Sequence, residues 1–312
     1  MQRLLLRIRA LLRKVFQPVV EAVLGTIAVG ALRATRYFDP QRSANAFARL
    51  ARRIGPWLPE HRIGRDNLVA AFPEKSAAEI ETILGDVWDN LGRVGAEFAH
   101  MDRIFDIDAD NPTAGRIEYA PRTNELFEKL RTDGKGAIIF SAHLANWELP
   151  ALAGPAFGVE TAVLFRRPNL AAVDHAIQQV RGVNMGTLVA TAHNAPLLLA
   201  QALRDGAHVG MLIDQFHDRG VHVDFFGRPA RTNTMLARVA RHVDCPIHGV
   251  RIVRLPQNRF RIELSEAIEP VRDATGDIVV KDTMQKINAV IEGWVREHPG
   301  QWLWLHRRWR NY

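Results

Sequence analysis

Short apolar runs recur through the second half of the sequence, each separated from the next by a helix-length segment. They are Gly136–Ser141, Thr161–Phe165, Thr187–Ala190, His208–Ile213 and Pro246–Val253. Apolar runs of roughly four to eight residues are typical of buried strands, and their alternation with helices is typical of parallel sheets. A further run, Arg259–Leu264, follows the turn residues 256–258 and indicates a hairpin partner at one sheet edge. The sequence therefore predicts an α/β fold with a mixed, mainly parallel sheet flanked by helices.

The region before this sheet has a helical period instead. Apolar residues recur at helical spacing from residue 44 to 51 and again from 80 to 91, and Lys281–Glu297 has the pattern of a closing amphipathic helix. No fixed-period repeat or low-complexity linker divides the chain. We therefore predict one domain over residues 36–312, with a helical segment at 36–131 and an α/β core at 132–312, preceded by a separate N-terminal segment at 1–35.

The charge balance of the chain indicates which classes of binding partner it favours. Over 312 residues, 41 Lys and Arg against 34 Asp and Glu leave a net charge of +7. This favours anionic partners such as phospholipid surfaces, phosphorylated lipids, acidic carrier proteins or nucleic acid. Cys245 is the only cysteine, which excludes an intrachain disulfide and is compatible with a reducing, cytoplasm-facing compartment.

The N-terminus has the pattern of a membrane anchor. Five cations among residues 3–14 precede Val15–Leu32, an 18-residue stretch whose only charge is Glu21. That length is at the short end of what spans a bilayer. A cleavable signal peptide is disfavoured because the run is too long and contains Pro18 and Glu21. We predict an N-terminal membrane-anchoring helix, and the flanking cations leave both a spanning and an in-plane helix open.

The strongest local motif is a buried strand that leads into a histidine. Ile138–Ser141 is followed by His143, and Glu148 comes five residues later. In open α/β sheets ligands bind at the carboxyl ends of strands. Five residues on one helix correspond to about 500°, so these two side chains could not meet on a single straight helix. We therefore expect His143 in the turn before a helix, with Glu148 reaching back to one ring nitrogen and leaving the other free as a base.

A bare His-x4-Glu pattern more often marks a helix cap and a solvated carboxylate, but further motifs accompany this one. They are residues 61–68 with 71–74, Phe165 to Asn169, Asp214-Gln215 with 223–227 and 232–234, and Gln301 to Arg308. The His-x4-Glu segment resembles the site of the glycerolipid and lipid A acyltransferases. Taken in order, the whole set resembles the bacterial lipid A late acyltransferases, which add secondary acyl chains in lipopolysaccharide synthesis. The likeness covers essentially the whole chain and implies a glycerolipid acyltransferase-like fold.

This resemblance implies a role for each matching catalytic position. His143 matches the catalytic base and Glu148 its carboxylate partner. Arg166 follows the next predicted strand and matches an arginine that could hold the donor or polarise its carbonyl oxygen. The family often has Asn before the catalytic histidine, where this chain has Ser141 and Ala142.

Substrate-binding positions are implied in the same way. Asp214 matches the family's Asp-Gln pair, and Arg228 and Thr232 lie in a loop that is expected to line a substrate pocket. The resemblance implies no metal and no organic cofactor. Transfer would run from acyl carrier protein to a hydroxyl of a lipid A precursor, with the catalytic domain on the cytoplasmic side of the bacterial inner membrane. The alternative is a phosphatidylinositol mannoside or other glycolipid acyltransferase that uses acyl-coenzyme A.

A metal-dependent hydrolase is a second alternative. Five potential ligands lie within eleven residues, namely Asp214, His217, Asp218, His222 and Asp224. Their spacing matches none of the common zinc patterns, and Arg219 with Gly220 indicates an exposed, turn-rich loop. A solvated loop is the preferred interpretation. No Gly-x-Ser-x-Gly motif occurs, which disfavours a serine esterase.

Aromatic and basic residues also alternate in the C-terminal tail. They are Trp302, Trp304, His306, Arg307, Arg308, Trp309 and Arg310. Such a tail could bind nucleic acid, or it could lie at a membrane interface, where Trp meets headgroups and Arg meets phosphate. The apolar N-terminus favours the membrane and no nucleic-acid partner. A last buried strand is the remaining alternative, since the tryptophans alternate with leucines.

Overall fold

The computed structural model of the chain describes residues 25–26, 29–108, 111, 113–168 and 171–310. Its α-helices are α1 (Pro40–Ile54), α2 (Pro59–Ala71), α3 (Ala77–Glu97), α4 (Met101–Ile104), α5 (Pro121–Thr132), α6 (Leu149–Ala156), α7 (Ala171–Asn184), α8 (Ala195–Arg204), α9 (Met235–Val243) and α10 (Val280–Glu297). Its strands are β1 (Ile117–Tyr119), β2 (Ile138–Ser141), β3 (Thr161–Phe165), β4 (Thr187–Ala190), β5 (His208–Leu212), β6 (Phe216–Phe225), β7 (Arg228–Thr232), β8 (Ile247–Leu255) and β9 (Arg259–Leu264). The mixed α/β architecture is confirmed.

Within the described residues, the main sheet has seven strands in the order β1-β9-β8-β2-β5-β3-β4. All neighbours are parallel except β8 and β9, which form the predicted antiparallel hairpin at Arg259–Leu264. Each predicted apolar run of the core matches one strand of this sheet. Since β2 and β5 are direct neighbours, with Ser141 opposite Leu212, the residues that follow these two strands meet at one sheet edge.

One short strand interrupts the predicted helical segment 36–131. β1 pairs with β9 in parallel, and its Glu118 forms ion pairs with Arg259 and Arg261. Its two inward residues, Ile117 and Tyr119, are buried. Three residues are too few for an alternating pattern to stand out in a sequence, so the pairing partner β9 is what makes this segment a strand.

Helices cover both faces of the sheet. One core contains Phe140 with residues of α8, α9 and α10, and the other contains Val250 with residues of α5 and α6. α3 begins at a capping box in which Ser76 and Glu79 satisfy each other's backbone N–H groups. α1 packs closely on α3 because Ala48 faces Gly92, where even one added carbon would meet the α1 backbone at 2.5–2.8 Å.

The predicted membrane anchor Val15–Leu32 lies largely outside the described residues. Residues 25–26 and 29–35 are described and are helical. Across the part of the chain that the structure describes, no helix combines the length and the apolar character that crossing a bilayer requires.

The predicted placement of the C-terminal tail at a membrane interface is wrong for its key residues. Trp302, Trp304 and Arg308 are 1%, 0% and 0% exposed. The indole of Trp304 donates to the carbonyl of Pro299, and Arg308 donates to the hydroxyl of Thr232. The alternating pattern correctly indicated burial, but it produces one isolated bridge between Leu144 and Trp302 and not a strand. These side chains can be buried because the indole N–H of Trp304 and both Nη groups of Arg308 find hydrogen-bond partners in the core.

Candidate active site

His143 lies in the turn between β2 and α6, as predicted. The turn is constrained at Ala145, which is fully buried and has a φ of 45°. The C-terminal segment holds it on both sides, because the Ala145 N–H donates to the Gln301 carbonyl at 2.9 Å and the Leu303 N–H donates to the His143 carbonyl at 3.1 Å. A non-glycine residue at positive φ persists only where its surroundings determine the backbone, as these contacts do.

Asp214, which follows β5, is the carboxylate that contacts His143. Its Oδ1 lies 2.8 Å from Nδ1 of the imidazole, and its Oδ2 accepts from the His143 backbone N–H at 2.8 Å. Oδ2 also accepts from the indole N–H of Trp302 at 2.7 Å. The Asp214 side chain is 0% exposed and the His143 side chain is 16% exposed. Asp214 therefore fixes both the backbone and the Nδ1 side of the ring of His143, while one edge of the imidazole remains open to the surface.

The electrostatic environment keeps Asp214 ionised. Burial opposes its charge, but the positive charge of His143 and the hydrogen bonds from the His143 ring and backbone outweigh this and hold the pKa of Asp214 below its usual range. An ionised carboxylate can only accept hydrogen bonds, so in the neutral form of the His143 ring Nδ1 carries the proton and Nε2 carries the lone pair. The amide nitrogen of Gln215 lies 3.3 Å from Nε2.

The predicted contact between Glu148 and His143 is wrong. Both carboxylate oxygens of Glu148 accept from Arg181 on α7, with Arg181 Nη2 at 2.6 Å and Nε at 2.8 Å. The Glu148 side chain is 8% exposed and that of Arg181 is 17% exposed. Glu148 is the N-cap residue of α6, and its side chain is directed towards α7. The five-residue spacing shows that the two residues are close in sequence, but it does not determine the directions of their side chains.

A mainly apolar cavity of about 380 Å³ opens beside His143. Its sheet wall consists of residues of β2, β3 and β5, among them Ile139, Val163, Gly210 and Leu212. Side chains on alternate positions of a strand share one face, which explains this spacing. The cavity runs from His208 at the start of β5 to the edge where β5 ends, and the five residues of this strand span roughly 16 Å.

The opposite wall of the cavity is formed by α5, α6, Arg181 of α7 and Met185, which directly follows α7. It includes Phe127, Leu130, Ala151 and Met185. Gly210 opposite leaves space inside, because an added methyl group would make only an ordinary contact of 3.6 Å with Val163. The polar residues that line the cavity are His143, Glu148, Arg166, Arg181, His208 and Gln215, with Trp147, Ser141, Thr161, Thr191, His217 and Asn233 beside them.

The remaining predicted substrate residues differ in position. Arg166 is exposed at the end of β3 and lines the cavity, as a substrate contact would require. Thr232 is 0% exposed, and its hydroxyl accepts from Arg308 and donates to Asn288, so its prediction as a substrate ligand is wrong. Arg228 lies over the ring of Trp309, with its guanidinium 4.9 Å from the centroid, and is not among the described residues that line the cavity.

The segment predicted to be a turn-rich loop lies within strand β6, which pairs with β7 in a separate hairpin, and the pairing register is interrupted between Phe216 and Val221. Gly220 permits the close approach of the two strands, since a side-chain carbon there would meet the Thr232 carbonyl oxygen at 2.2 Å. Within the described residues, no three His, Cys, Asp or Glu side chains converge as metal ligands would. Both oxygens of Asp214 are engaged by His143 and Trp302.

A buried polar network beneath the His143 turn was not predicted. Arg254 forms two hydrogen bonds with Glu97, and Glu97 accepts from the amide of Asn146 in the turn. Asn90 accepts from Arg254 and donates to the Ala145 carbonyl at 3.0 Å. The available signal was Asn90 on an otherwise apolar face of α3. Trp302 stands out in the sequence as part of the aromatic and basic tail, but nothing in the sequence predicts its hydrogen bond to Asp214.

An imidazole paired with a buried carboxylate, at the carboxyl edge of a mainly parallel sheet and beside an apolar cavity, defines an α/β protein equipped to deprotonate a group next to an apolar chain. The family model described as bacterial lipid A biosynthesis acyltransferase matches residues 16–311. The chain belongs to this family and is an acyltransferase, as the ordered motifs predicted. A search of curated proteins returned no match.

Proposed function

We propose that this protein transfers a fatty acyl group from acyl carrier protein to a hydroxyl of a lipid A precursor, with His143 as the general base and Asp214 as its partner. The observation that carries the proposal is the His143–Asp214 pair at the edge of an apolar cavity. This differs from the assignment of Glu148 as the partner, since Glu148 is engaged by Arg181.

The reaction follows from the proton positions. Nε2 of His143 takes the proton of the acceptor hydroxyl as its oxygen attacks the thioester carbonyl carbon. A C–O bond forms, the C–S bond breaks, and the protonated imidazole returns its proton to the leaving thiolate. Asp214 stabilises the imidazolium that forms between these steps. The acceptor hydroxyl takes the place of the Gln215 amide, which lies against Nε2 in this structure.

The cavity and its rim suit the two halves of the donor. Apolar side chains along β2, β3 and β5 accommodate an extended acyl chain, and its thioester end lies towards His143. Arg166 at the exposed rim is placed to interact with negative charge, either on the carbonyl oxygen as it develops or on an anionic substrate group. Glu148 and Arg181 hold α6 against α7, and they act in this proposal as positioning residues of the cavity wall.

The donor and the location are supported by charge. A net charge of +7 favours association with acyl carrier protein, which is acidic, and with an anionic bilayer. A lipid acceptor is available only at a membrane, so the proposal includes the cytoplasmic face of the bacterial inner membrane, with Val15–Leu32 as the anchor.

The experiment is an in vitro transfer assay with a purified lipid A precursor and either acyl carrier protein or coenzyme A thioesters, followed by mass spectrometry. The wild type is expected to acylate the precursor from acyl carrier protein, and His143→Ala to lose roughly 10²- to 10⁴-fold in rate. The matched control is His242→Ala, because His242 is exposed at the end of α9. Near-native rates in a folded His143→Ala protein would overturn the mechanism. Transfer from coenzyme A alone would overturn the proposed donor.

A further inference from the structure

Exposed large hydrophobic side chains concentrate around α1. They are Tyr37, Phe38, Leu50, Ile54, Trp57 and Leu58, which together are called the α1 face below. Tyr37 is 91% exposed and Trp57 is 81% exposed. In the other described parts of the chain, such side chains are limited to Val69, Leu197 and Leu198. An exposed apolar patch within a stretch of about twenty residues indicates an interaction surface.

The packing of α1 is the reverse of an ordinary surface helix. Its small residues Ala44 and Ala48 face the core, whereas the larger Leu50 and Ile54 are exposed. At about 100° per residue, Leu50 and Ile54 lie with Phe47 on one flank of the helix. The close approach of α1 to α3 at Gly92 leaves no room for larger residues inside. The large apolar side chains of α1 are therefore available to something outside the described structure.

This flank forms one wall of an open apolar groove of about 270 Å³. The other wall is formed by Trp88 and Leu91 of α3. Aromatic side chains lie at both ends of α1, with Tyr37 and Phe38 before it and Trp57 after it. This arrangement matches a lipid interface, where aromatic rings lie at headgroup depth and aliphatic side chains extend further in.

The charge of α1 selects the kind of lipid. The helix contains four arginines and no acidic residue. Arg52 is paired with Asp86 and Asp89, whereas Arg42, Arg49 and Arg53 are exposed on the face that adjoins Leu50. Asp39 at the helix start caps the backbone N–H of Arg42. The net charge beside the groove is positive, which complements anionic headgroups.

We propose that the α1 face docks on the surface of an anionic phospholipid bilayer, with Leu50, Ile54 and Trp57 in the interface. α3 connects this face to the catalytic turn, because it packs on α1 along one side and donates from Asn90 to Ala145 on the other. Docking therefore places lipid against α1, and α3 links α1 to the His143 turn. The biological role of this docking rests on the proposed function. The docking itself is tested by lipid binding, which is measured without turnover.

The test uses the full chain and vesicles of phosphatidylcholine with or without phosphatidylglycerol, made from ordinary or brominated lipid. Bromine quenches only tryptophans that contact lipid. The contribution of Trp57 to the fluorescence is the difference between the emission spectra of the wild type and of Trp57→Phe, a substitution at an exposed position. We expect a blue shift and quenching of this contribution, stronger with phosphatidylglycerol. Quenching that is equal in the wild type and Trp57→Phe would overturn the proposal and indicate that another part of the chain, or a second copy, covers the α1 face.

Two matched pairs of variants separate apolar from electrostatic contributions. Leu50→Ser/Ile54→Ser is expected to weaken the vesicle affinity reported by Trp57 roughly tenfold or more, and Val69→Ser, an exposed apolar residue of α2, to leave it unchanged. Arg42→Gln, Arg49→Gln and Arg53→Gln should each reduce the preference for phosphatidylglycerol about fivefold, unlike Arg204→Gln on α8. Equal effects of test and control variants would also overturn the proposal. His143→Ala should bind normally, so failure of docking and failure of catalysis remain distinguishable.

Discussion

The carboxylate of Asp214 accepts hydrogen bonds from both the ring and the backbone of His143. The two residues are 71 positions apart and meet because β2 and β5 are neighbours in the sheet. These two hydrogen bonds together fix the rotation of the imidazole as well as its tautomer. Its consequences for catalysis and for stability can be measured separately.

Asp214→Asn is expected to lower the transfer rate roughly 10²- to 10⁴-fold, a loss comparable with that of His143→Ala. The amide group would donate towards Nδ1 and place the proton on Nε2, where the base needs its lone pair. Because the two residues act as one unit, the double variant should be scarcely slower than the slower single one. Steady-state rates with thermal melting as a fold check test this, and Asp218→Asn at an exposed position is the control. Additive losses would mean that the two residues act independently.

Glu148→Gln is expected to affect stability more than the pH dependence of the rate. It removes one partner of a largely buried ion pair and leaves the charge of Arg181 without its carboxylate, a change that costs about 3–5 kcal/mol where both groups are buried. Chemical denaturation measures the loss. The exchanged pair Glu148→Arg/Arg181→Glu should recover part of the stability. If Glu148→Gln instead shifts the pH–rate profile, Glu148 acts on the base after all.

There is a physical reason why the strands were predicted correctly and the carboxylate partner of His143 was not. Strand positions depend on local periodicity, and each predicted apolar run therefore matched a strand within a few residues. The partner of His143 depends on strand order, which local periodicity does not contain. Glu148 is near in sequence and Asp214 is near in space, and only the adjacency of β2 and β5 distinguishes them. Trp302 and Arg308 were assigned to an interface because their composition suits either an interface or a core with hydrogen-bond partners.

Acid is expected to destabilise the fold through His306. Burial is the main cause that lowers the pKa of this imidazole to about 4, and its Nε2 is buried without a hydrogen-bond partner among the described residues. A base with a depressed pKa binds its proton more readily when unfolded. Stability is therefore full above about pH 6.5 and declines as the pH falls towards 4, by at most about 3 kcal/mol. Melting curves of the wild type and His306→Gln between pH 4 and 7 check this. His242→Gln should not alter the slope, and an unchanged slope in His306→Gln would contradict the assignment.

Gly210→Leu is expected to shorten the acyl chains that the enzyme accepts. Gly210 lines the cavity, and a carbon added there makes only an ordinary 3.6 Å contact with the Val163 side chain and meets no neighbouring backbone. The ratio of kcat/KM for a long donor to that for a short one should fall roughly tenfold or more, with activity on the short donor retained. Gly210→Ala should give a smaller shift in the same direction. A uniform loss over all donor lengths would mean that the chain lies elsewhere.

Trp302→Phe tests whether the C-terminal segment positions the catalytic pair. The substitution retains an aromatic ring in the core but removes the indole N–H that donates to Asp214 Oδ2 at 2.7 Å. A buried carboxylate that loses one donor becomes more basic and less firmly oriented, with a cost of about 1–3 kcal/mol. We expect kcat to fall about tenfold, KM to change little and the pH–rate profile to shift.

Trp304→Phe is the matched control for Trp302→Phe. It removes an equivalent indole N–H in the same core, but that group donates to the Pro299 carbonyl and not to Asp214. Both variants should therefore lose similar stability, and only Trp302→Phe should alter the pH–rate profile. Raising the pH cannot restore a missing donor, so the deficit of Trp302→Phe in kcat should persist across the pH range in which both proteins are folded. If the two variants have the same profile, Trp302 only fills the core, and Asp214 does not depend on the C-terminal segment for its orientation.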